Sequence, residues 1–321
     1  MGNDNPNSLF ILGAGFTKAA NPKAPLNSEL LEAINKADPG TLAKYSSIFN
    51  STDIERVLTL IDIALGANPN MDLKKDREAI ELQIANFFKL CRFDRNNPPK
   101  WVERFARDVL QPNDTIVSLN YDCYLEGALD NYGVWSPNGG YPKGHPLAEG
   151  IATNPYNIRV FKIHGSENFR ESVVIGNNKT DIGYIIEESI YPKSGERQNI
   201  GGGGFESWPY IIAPSFVKIP HVQIAYMMLC LLDIAKEAKN LIIIGCGMRQ
   251  EDNFLWLILT RFLYEYPNGI SKKLIIVDPG ADNLWRRIDH YCAGNIEERV
   301  SVVPICFPLE KGIGDLIATF K

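Results

Sequence analysis

Ser8-Leu-Phe-Ile-Leu-Gly-Ala-Gly-Phe-Thr-Lys-Ala-Ala20 is the stretch whose reading decides the fold. Leu9 to Leu12 form an apolar run long enough for one buried parallel strand. Gly13 and Gly15 follow at once, and Thr17, Lys18 and two alanines suit the start of a helix. Strand, glycine turn and helix start together describe a cradle for phosphate. Glycine lets a backbone come close to a pyrophosphate, and N–H groups at a helix start attract anions. The full G-x-G-x-x-G fingerprint is incomplete here, and a tight strand-to-helix turn without any ligand accounts for the same residues equally well.

Outward from this stretch the chain is first helical and then alternating. Residues 25–111 carry helical periodicity without strong strand signals: Leu30, Leu31 and Ile34 after Ser28 as a cap, Ile54, Val57, Leu58 and Ile61 after a capping box at Thr52-Asp-Ile-Glu55, then Ile80, Ile84, Phe87 and Phe88, and finally Trp101, Val102, Phe105 and Val109. They are expected to form an inserted helical module. Short apolar runs return at Thr115–Leu119, Arg159–Ile163, Tyr210–Ala213, Asn240–Ile244, Lys273–Val277 and Val300–Pro304, with helical segments after the later ones. Residues 131–208 read as a loop-rich insertion with a hairpin near 173–186, and Gly201 to Gly204 as a mobile run. Strands alternating with helices imply right-handed crossovers. The expected fold is α/β, a Rossmann-like doubly wound parallel sheet within one domain spanning 1–321.

Composition narrows the function. The 321 residues carry a formal charge of −5, so no basic footprint for nucleic acid is present. The six cysteines (Cys91, Cys123, Cys230, Cys246, Cys292 and Cys306) contain no C-x-x-C pair, which argues against a zinc ribbon and leaves no metal site expected. Several lie in apolar stretches and read as buried thiols in a reducing cytoplasm. No apolar stretch is long enough to span a membrane, and the first residues lack a signal pattern, so a cytoplasmic location is expected.

In a doubly wound sheet the ligand sits beyond the carboxyl ends of the strands. Five polar or glycine-bearing segments follow strands here: Gly13-Ala14-Gly15, Asn120-Tyr121-Asp122, His164-Gly165-Ser166, Gly245-Cys246-Gly247 and Asp278. The expected topology gathers them on one rim. Each also has a plain reading. A histidine ending a strand is often a hydrogen-bonded core residue, Asn120 and Asp122 can cap the helix starting near Tyr124, Asp278-Pro279 suits a turn, and Cys246 suits a buried thiol.

In this order the segments resemble the sirtuin family. Gly13-Ala14-Gly15-Phe16-Thr17 resembles its G-A-G-x-S loop, Ser118-Leu119-Asn120-Tyr121-Asp122 its T-x-N-x-D segment, and Lys162-Ile163-His164-Gly165-Ser166 the segment holding its catalytic histidine. Thr52–Glu55, the pattern from Gly245 to Asp252 and the missing zinc cysteines resemble the branch of bacterial sirtuin-like defence NADases. One departure is Gly247, which stands where the family's late G-x-S segment has serine.

The resemblance implies NAD as substrate and cleavage of its nicotinamide–ribose bond, giving nicotinamide and ADP-ribose. On that reading His164 accepts a ribose-hydroxyl proton, Asn120 positions a water or a ribose hydroxyl, and Asp122 accepts from the nicotinamide carboxamide. Gly13, Ala14, Gly15, Phe16 and Thr17 hold the pyrophosphate, Gly245 and Gly247 border the nucleotide, and Asp278 touches the adenosine end. The family context implies an effector that depletes NAD during phage infection. It also implies control by self-association or by a partner, a motor ATPase or an Argonaute-like protein. The chain is expected to hold no separate sensor of its own. Two other readings stay open. One is a non-catalytic subunit that senses NAD or ADP-ribose. The other is an NAD-dependent protein deacylase, disfavoured by the missing zinc ribbon.

Overall fold

The structure, a computed structural model, describes residues 8–142, 156–174, 182–187, 190, 207–216, 220–250, 252–265, 271–292, 296, 300–305 and 309–320. In chain order β1 (Ser8–Leu12) leads into α1 (Ala14–Ala20), and α2 (Leu30–Ala37), α3 (Thr41–Ile48), α4 (Ile54–Ala67), α5 (Met71–Phe88) and α6 (Lys100–Arg104) follow. Next come β2 (Thr115–Ser118), α7 (Tyr124–Asn131), α8 (Pro137–Gly140), β3 (Arg159–Lys162), β4 (Gly165–Val174), β5 (Ile182–Glu187) and β6 (Ser207–Ile211). The last third contains α9 (Val222–Glu237), β7 (Asn240–Ile244), α10 (Asn253–Tyr264), β8 (Lys272–Val277), α11 (Ala281–Tyr291), β9 (Val300–Ile305) and α12 (Leu309–Phe320).

Six strands form one sheet in the order β3-β2-β1-β7-β8-β9, and every neighbouring pair is parallel. The chain builds outward from β1 to β3, returns to the other side of β1, and builds outward again to β9. The order therefore reverses between β1 and β7, where a crevice opens beyond the carboxyl ends of the strands. This is the α/β, Rossmann-like doubly wound sheet that the sequence predicts.

The apolar run of β1 is unbroken because both faces of the sheet are covered. Phe10 and Leu12 pack with Ile116, Ile242, Ile244, the 101–109 segment and α12 on one face. Leu9 and Ile11 pack with Val117, Ile243 and the helices α9, α10 and α11 on the other. A third cluster lies elsewhere. Leu30, Ile34, Leu58, Ile61, Ile80 and Phe88 pack together with Tyr121 and Ile211, so α2 to α5 have their own core and lean on the carboxyl rim of the sheet.

The helical interval 25–111 is thus divided between two cores. Trp101 and Phe105 belong to the sheet, where each makes an edge-on contact with Phe16, at 5.3 and 5.2 Å between ring centroids. Two expected caps are corrected. Asp53, not Thr52, caps α4: its carboxylate accepts the Glu55 N–H at 2.9 Å, and the Glu55 side chain is committed elsewhere. α2 starts without a side-chain cap from Ser28, since residues Asn27–Glu29 form a 3-10 turn ahead of it.

Within the expected loop-rich insertion the hairpin expected near 173–186 is present as β4 and β5, with β6 beside it. β4 begins at Gly165 and pairs antiparallel with both β5 and β6. Gly165 is required there: its φ is +75°, and a Cβ would lie 2.3 Å from the Tyr210 carbonyl oxygen. The Gly201–Gly204 run and residues 143–155 lie outside the described residues. Among the described residues no helix is long and apolar enough to cross a membrane.

Candidate active site

A cavity of about 200 Å³ lies at the switch point. Its floor is the β1–α1 turn (Gly13, Ala14, Gly15, Thr17), its sides are Leu119–Asp122 after β2, His164 after β3, and Gly245–Arg249 with Asp252 after β7, and its roof is Ala24–Asn27, Leu30, Glu55 and Phe88 of the helical region. Four of the five strand-end segments predicted from the sequence thus meet in one cavity.

The glycines of two of these segments are in backbone contact. The Gly13 N–H donates to the Ile244 carbonyl at 3.1 Å, and the Gly15 N–H to the Gly245 carbonyl at 2.9 Å. A Cβ on Gly13 would stand 2.6 Å from both the Cys246 Cα and the Gly245 oxygen, and one on Gly15 would stand 2.8 Å from that oxygen. Gly245 has φ +57°, with its own Cβ position 2.5 Å from the Phe16 nitrogen. Glycine at 13, 15 and 245 is therefore demanded by a clasp between two strand ends, whatever else the turn binds. The Phe16 N–H is also committed, donating to the Gly13 carbonyl at 3.0 Å.

Beneath the clasp lies a buried polar chain. The Asn120 amide nitrogen donates to the Gly13 carbonyl at 3.0 Å and to Thr17 Oγ1 at 2.9 Å. Because the Gly13 carbonyl can only accept, the amide orientation is settled: Nδ2 points inward and Oδ1 is the end not used in these bonds. Thr17 Oγ1 donates to Asp122 Oδ1 at 3.2 Å, which also accepts the Tyr124 N–H at 3.0 Å. Asp122 thus starts α7 and lines the cavity at once. Burial pushes its carboxyl up to about 6, tempered by the nearby Lys162 ammonium. Lys162 is itself fully buried, 3.0 Å from Glu126, and donates to the Asp122 carbonyl at 2.6 Å.

Two ionisable pairs complete the wall. His164 Nε2 lies 3.5 Å from Asp252 Oδ1, and both side chains are 13% exposed. Glu55, from α4, accepts from Asn27 Nδ2 at 2.9 Å with one carboxylate oxygen and from Arg249 with the other. Met248, beside that arginine, has φ +43° although it is not glycine. The backbone there is strained, and Arg249 is held by its carbonyl, which accepts from Trp256 Nε1 at 2.9 Å. Burial pushes the Cys246 thiol up to about 12, so it stays a neutral core thiol.

Of the residues singled out from the sequence, Asn120, Asp122, His164, Gly13, Ala14, Gly15, Thr17, Gly245 and Gly247 line the cavity. Phe16 does not: its side chain is completely buried in the sheet core. Asp278 does not line it either. Its carboxylate accepts the Gly280 N–H at 2.8 Å and shapes the turn into α11. Asn27, Glu55, Arg249 and Asp252 are the lining residues with charged or amide side chains to which the sequence assigned no role. The Thr52–Glu55 segment and the pattern from Gly245 to Asp252, both part of the resemblance, were the available signals for Glu55, Arg249 and Asp252, whereas nothing local ties Asn27 to the rim. Among the described residues no group of three or more His, Cys, Asp or Glu side chains is placed to hold a metal.

Fold and site together define a doubly wound α/β protein with a cavity at its switch point, walled by carboxylates, one histidine and one arginine. No known family's sequence profile matches the chain, and no curated protein matches it. Solved structures of Sir2 homologues overlap with it. A single-residue mutant bound to ADP-ribose does so with TM-score 0.47 at 12% identity, over 98% of this chain and 92% of that one. A triple mutant bound to 2′-O-acetyl ADP-ribose gives 0.45 at 12% over the same shares. Sir2 with an inhibitor, 2′-O-acetyl-ADP-ribose and a deacetylated peptide gives 0.38 at 10%, over 98% and 93%. At these scores the overlap bears on neither the ligand nor the reaction of this chain.

Proposed function

We propose that this chain is an NAD glycohydrolase, cleaving NAD to nicotinamide and ADP-ribose. The observation that carries the reading is the meeting of the Gly13–Gly15 turn, of Asn120 with Asp122, and of His164, from three different strand ends, around one cavity at the switch point. The same three segments, in the same order, carry the sequence resemblance to sirtuins.

The chemistry suits these residues. Breaking the bond between C1′ and the nicotinamide nitrogen sends the electron pair to the ring, which leaves neutral, and builds positive charge on the ribose. Carboxylates at Asp122, Asp252 and Glu55 favour that charge in a partly buried site. Water then adds to C1′ and loses a proton. Histidine is the residue type whose ordinary pKa suits proton transfer near neutral pH. In this reading His164 takes a proton from a ribose hydroxyl, and Asn120, locked by Thr17 and the Gly13 carbonyl, presents Oδ1 to the ribose or the water. Triggering of such an activity by self-association or by a motor-ATPase or Argonaute-like partner, and a role as an NAD-depleting defence effector, belong to the same proposal and rest on the resemblance.

The test is nicotinamide release from NAD across a range of protein concentrations, alone and with the product of the neighbouring gene. His164→Ala is expected to abolish release while keeping the parent's circular dichroism and melting temperature, and Asn120→Ala to do the same with some loss of stability. A parent protein that binds NAD but releases no nicotinamide under any of these conditions refutes the enzyme and leaves a sensor in its place.

A further inference from the structure

The ligand of this cavity is read above as a dinucleotide, and the inference that follows rests on that reading. A pyrophosphate carries two negative charges into a site whose wall holds Glu55, Asp122 and Asp252. The glycine turn offers it little compensation, since the N–H groups of Gly13, Gly15 and Phe16 already donate to protein carbonyls. Of the described side chains lining the cavity, only Arg249 carries a permanent positive charge. Arg287 donates to the Gly247 carbonyl from outside the lining.

Arg249 is half-tied. Its Nη1 donates to Glu55, and with a side chain 42% exposed its planar fork, suited to two phosphate oxygens, stays partly open to solvent at the cavity wall. Glu55 belongs to the roof, where Asn27 holds its other oxygen at 2.9 Å. The Arg249–Glu55 pair therefore ties the β7 rim to the helical roof across the cavity. At about 200 Å³ the space is also smaller than the roughly 300–1,000 Å³ of ordinary small-ligand pockets. A dinucleotide entering here needs both a cation and more room.

We propose that Arg249 is the diphosphate-binding residue of this site, and that a nucleoside diphosphate draws it away from Glu55, so that ligand binding unlatches the helical roof from the sheet. Glu55 competes with the ligand for the same guanidinium. Removing the arginine should then weaken binding, and removing the carboxylate charge should strengthen it.

The experiment is calorimetric titration of the full chain with ADP-ribose, with adenosine and inorganic pyrophosphate as separate arms. Arg249→Gln is expected to weaken ADP-ribose binding by about tenfold or more, and to flatten its salt dependence, with adenosine binding unmoved. Arg249→Lys should retain part of the affinity, and Glu55→Gln should raise it severalfold. Melting temperatures of all variants without ligand separate lost binding from lost fold. If the parent binds ADP-ribose and Arg249→Gln binds it equally well, the proposal falls while the nucleotide site stands. If Glu55→Gln weakens binding, the latch falls, because Glu55 is then a support for the arginine. Pyrophosphate binding as tightly as ADP-ribose overturns the nucleoside assignment. A parent that binds neither ADP-ribose nor NAD removes the dinucleotide reading itself.

Discussion

Gly15→Ala separates a clasp from a cradle. If glycine is needed only so that a ligand can approach, alanine costs affinity and leaves the fold alone. The structure requires a different outcome. The new Cβ would stand 2.8 Å from the Gly245 oxygen and 2.9 Å from its Cα, and these are backbone atoms at the end of a central strand that cannot swing aside. Overpacking of this kind costs about 1–3 kcal/mol. Lengthening the Gly15–Gly245 hydrogen bond adds about 0.5–1.5 kcal/mol. Against this, replacing glycine by alanine inside α1 returns at most about 1 kcal/mol. The net expectation is a loss of about 0.5–3.5 kcal/mol without ligand, read as a lower urea midpoint at unchanged slope. Gly247→Ala is the paired control. No atom lies within 4 Å of its Cβ position, so its midpoint should stay within about 0.5 kcal/mol of the parent. A Gly15→Ala protein as stable as the parent would refute the clasp.

Two further predictions concern the buried charges. Lys162→Met strands the Glu126 carboxylate, which like Lys162 is wholly buried, and should cost about 3–5 kcal/mol in chemical denaturation; adding Glu126→Leu should recover much of it. Burial pushes Asp114 up to about 7 and Asp122 up to about 6, although in the unfolded chain such carboxyls titrate near 4. The folded protein therefore keeps protons that the unfolded chain releases, and stability should fall as pH rises from about 4 to 7. The melting temperature is expected to be higher at pH 5.5 than at pH 7.5, and Asp114→Asn should reduce that difference; a parent melting temperature that rises across this interval would contradict the assignment.

Much of this protein is written locally. Short apolar runs covered on both faces specify buried parallel strands, so Leu9–Leu12, Asn240–Ile244 and Lys273–Val277 announce themselves. Their alternation with helices then implies where polar strand ends must gather. Asn120, Asp122 and His164 could be placed on the rim because each directly follows such a run. Local pattern is silent where two residue roles share one signature. Gly13 and Gly15 look alike whether they admit a phosphate or another backbone, and only the Gly245 loop, more than 200 residues away in sequence, settles that they clasp it. Phe16 sits inside a binding motif yet points into the sheet, because Trp101 and Phe105 pack there. Asn27 and Glu55 are ordinary polar positions of a helical region until the fold leans that region over the rim and sets Arg249 against Glu55. Hydrophobic periodicity acts over a few residues and can be read from one segment alone. A hydrogen bond or an ion pair between distant segments exists only once the sheet has brought them together, so the strands were determined by the sequence by itself and the pairing of the site residues by the tertiary structure.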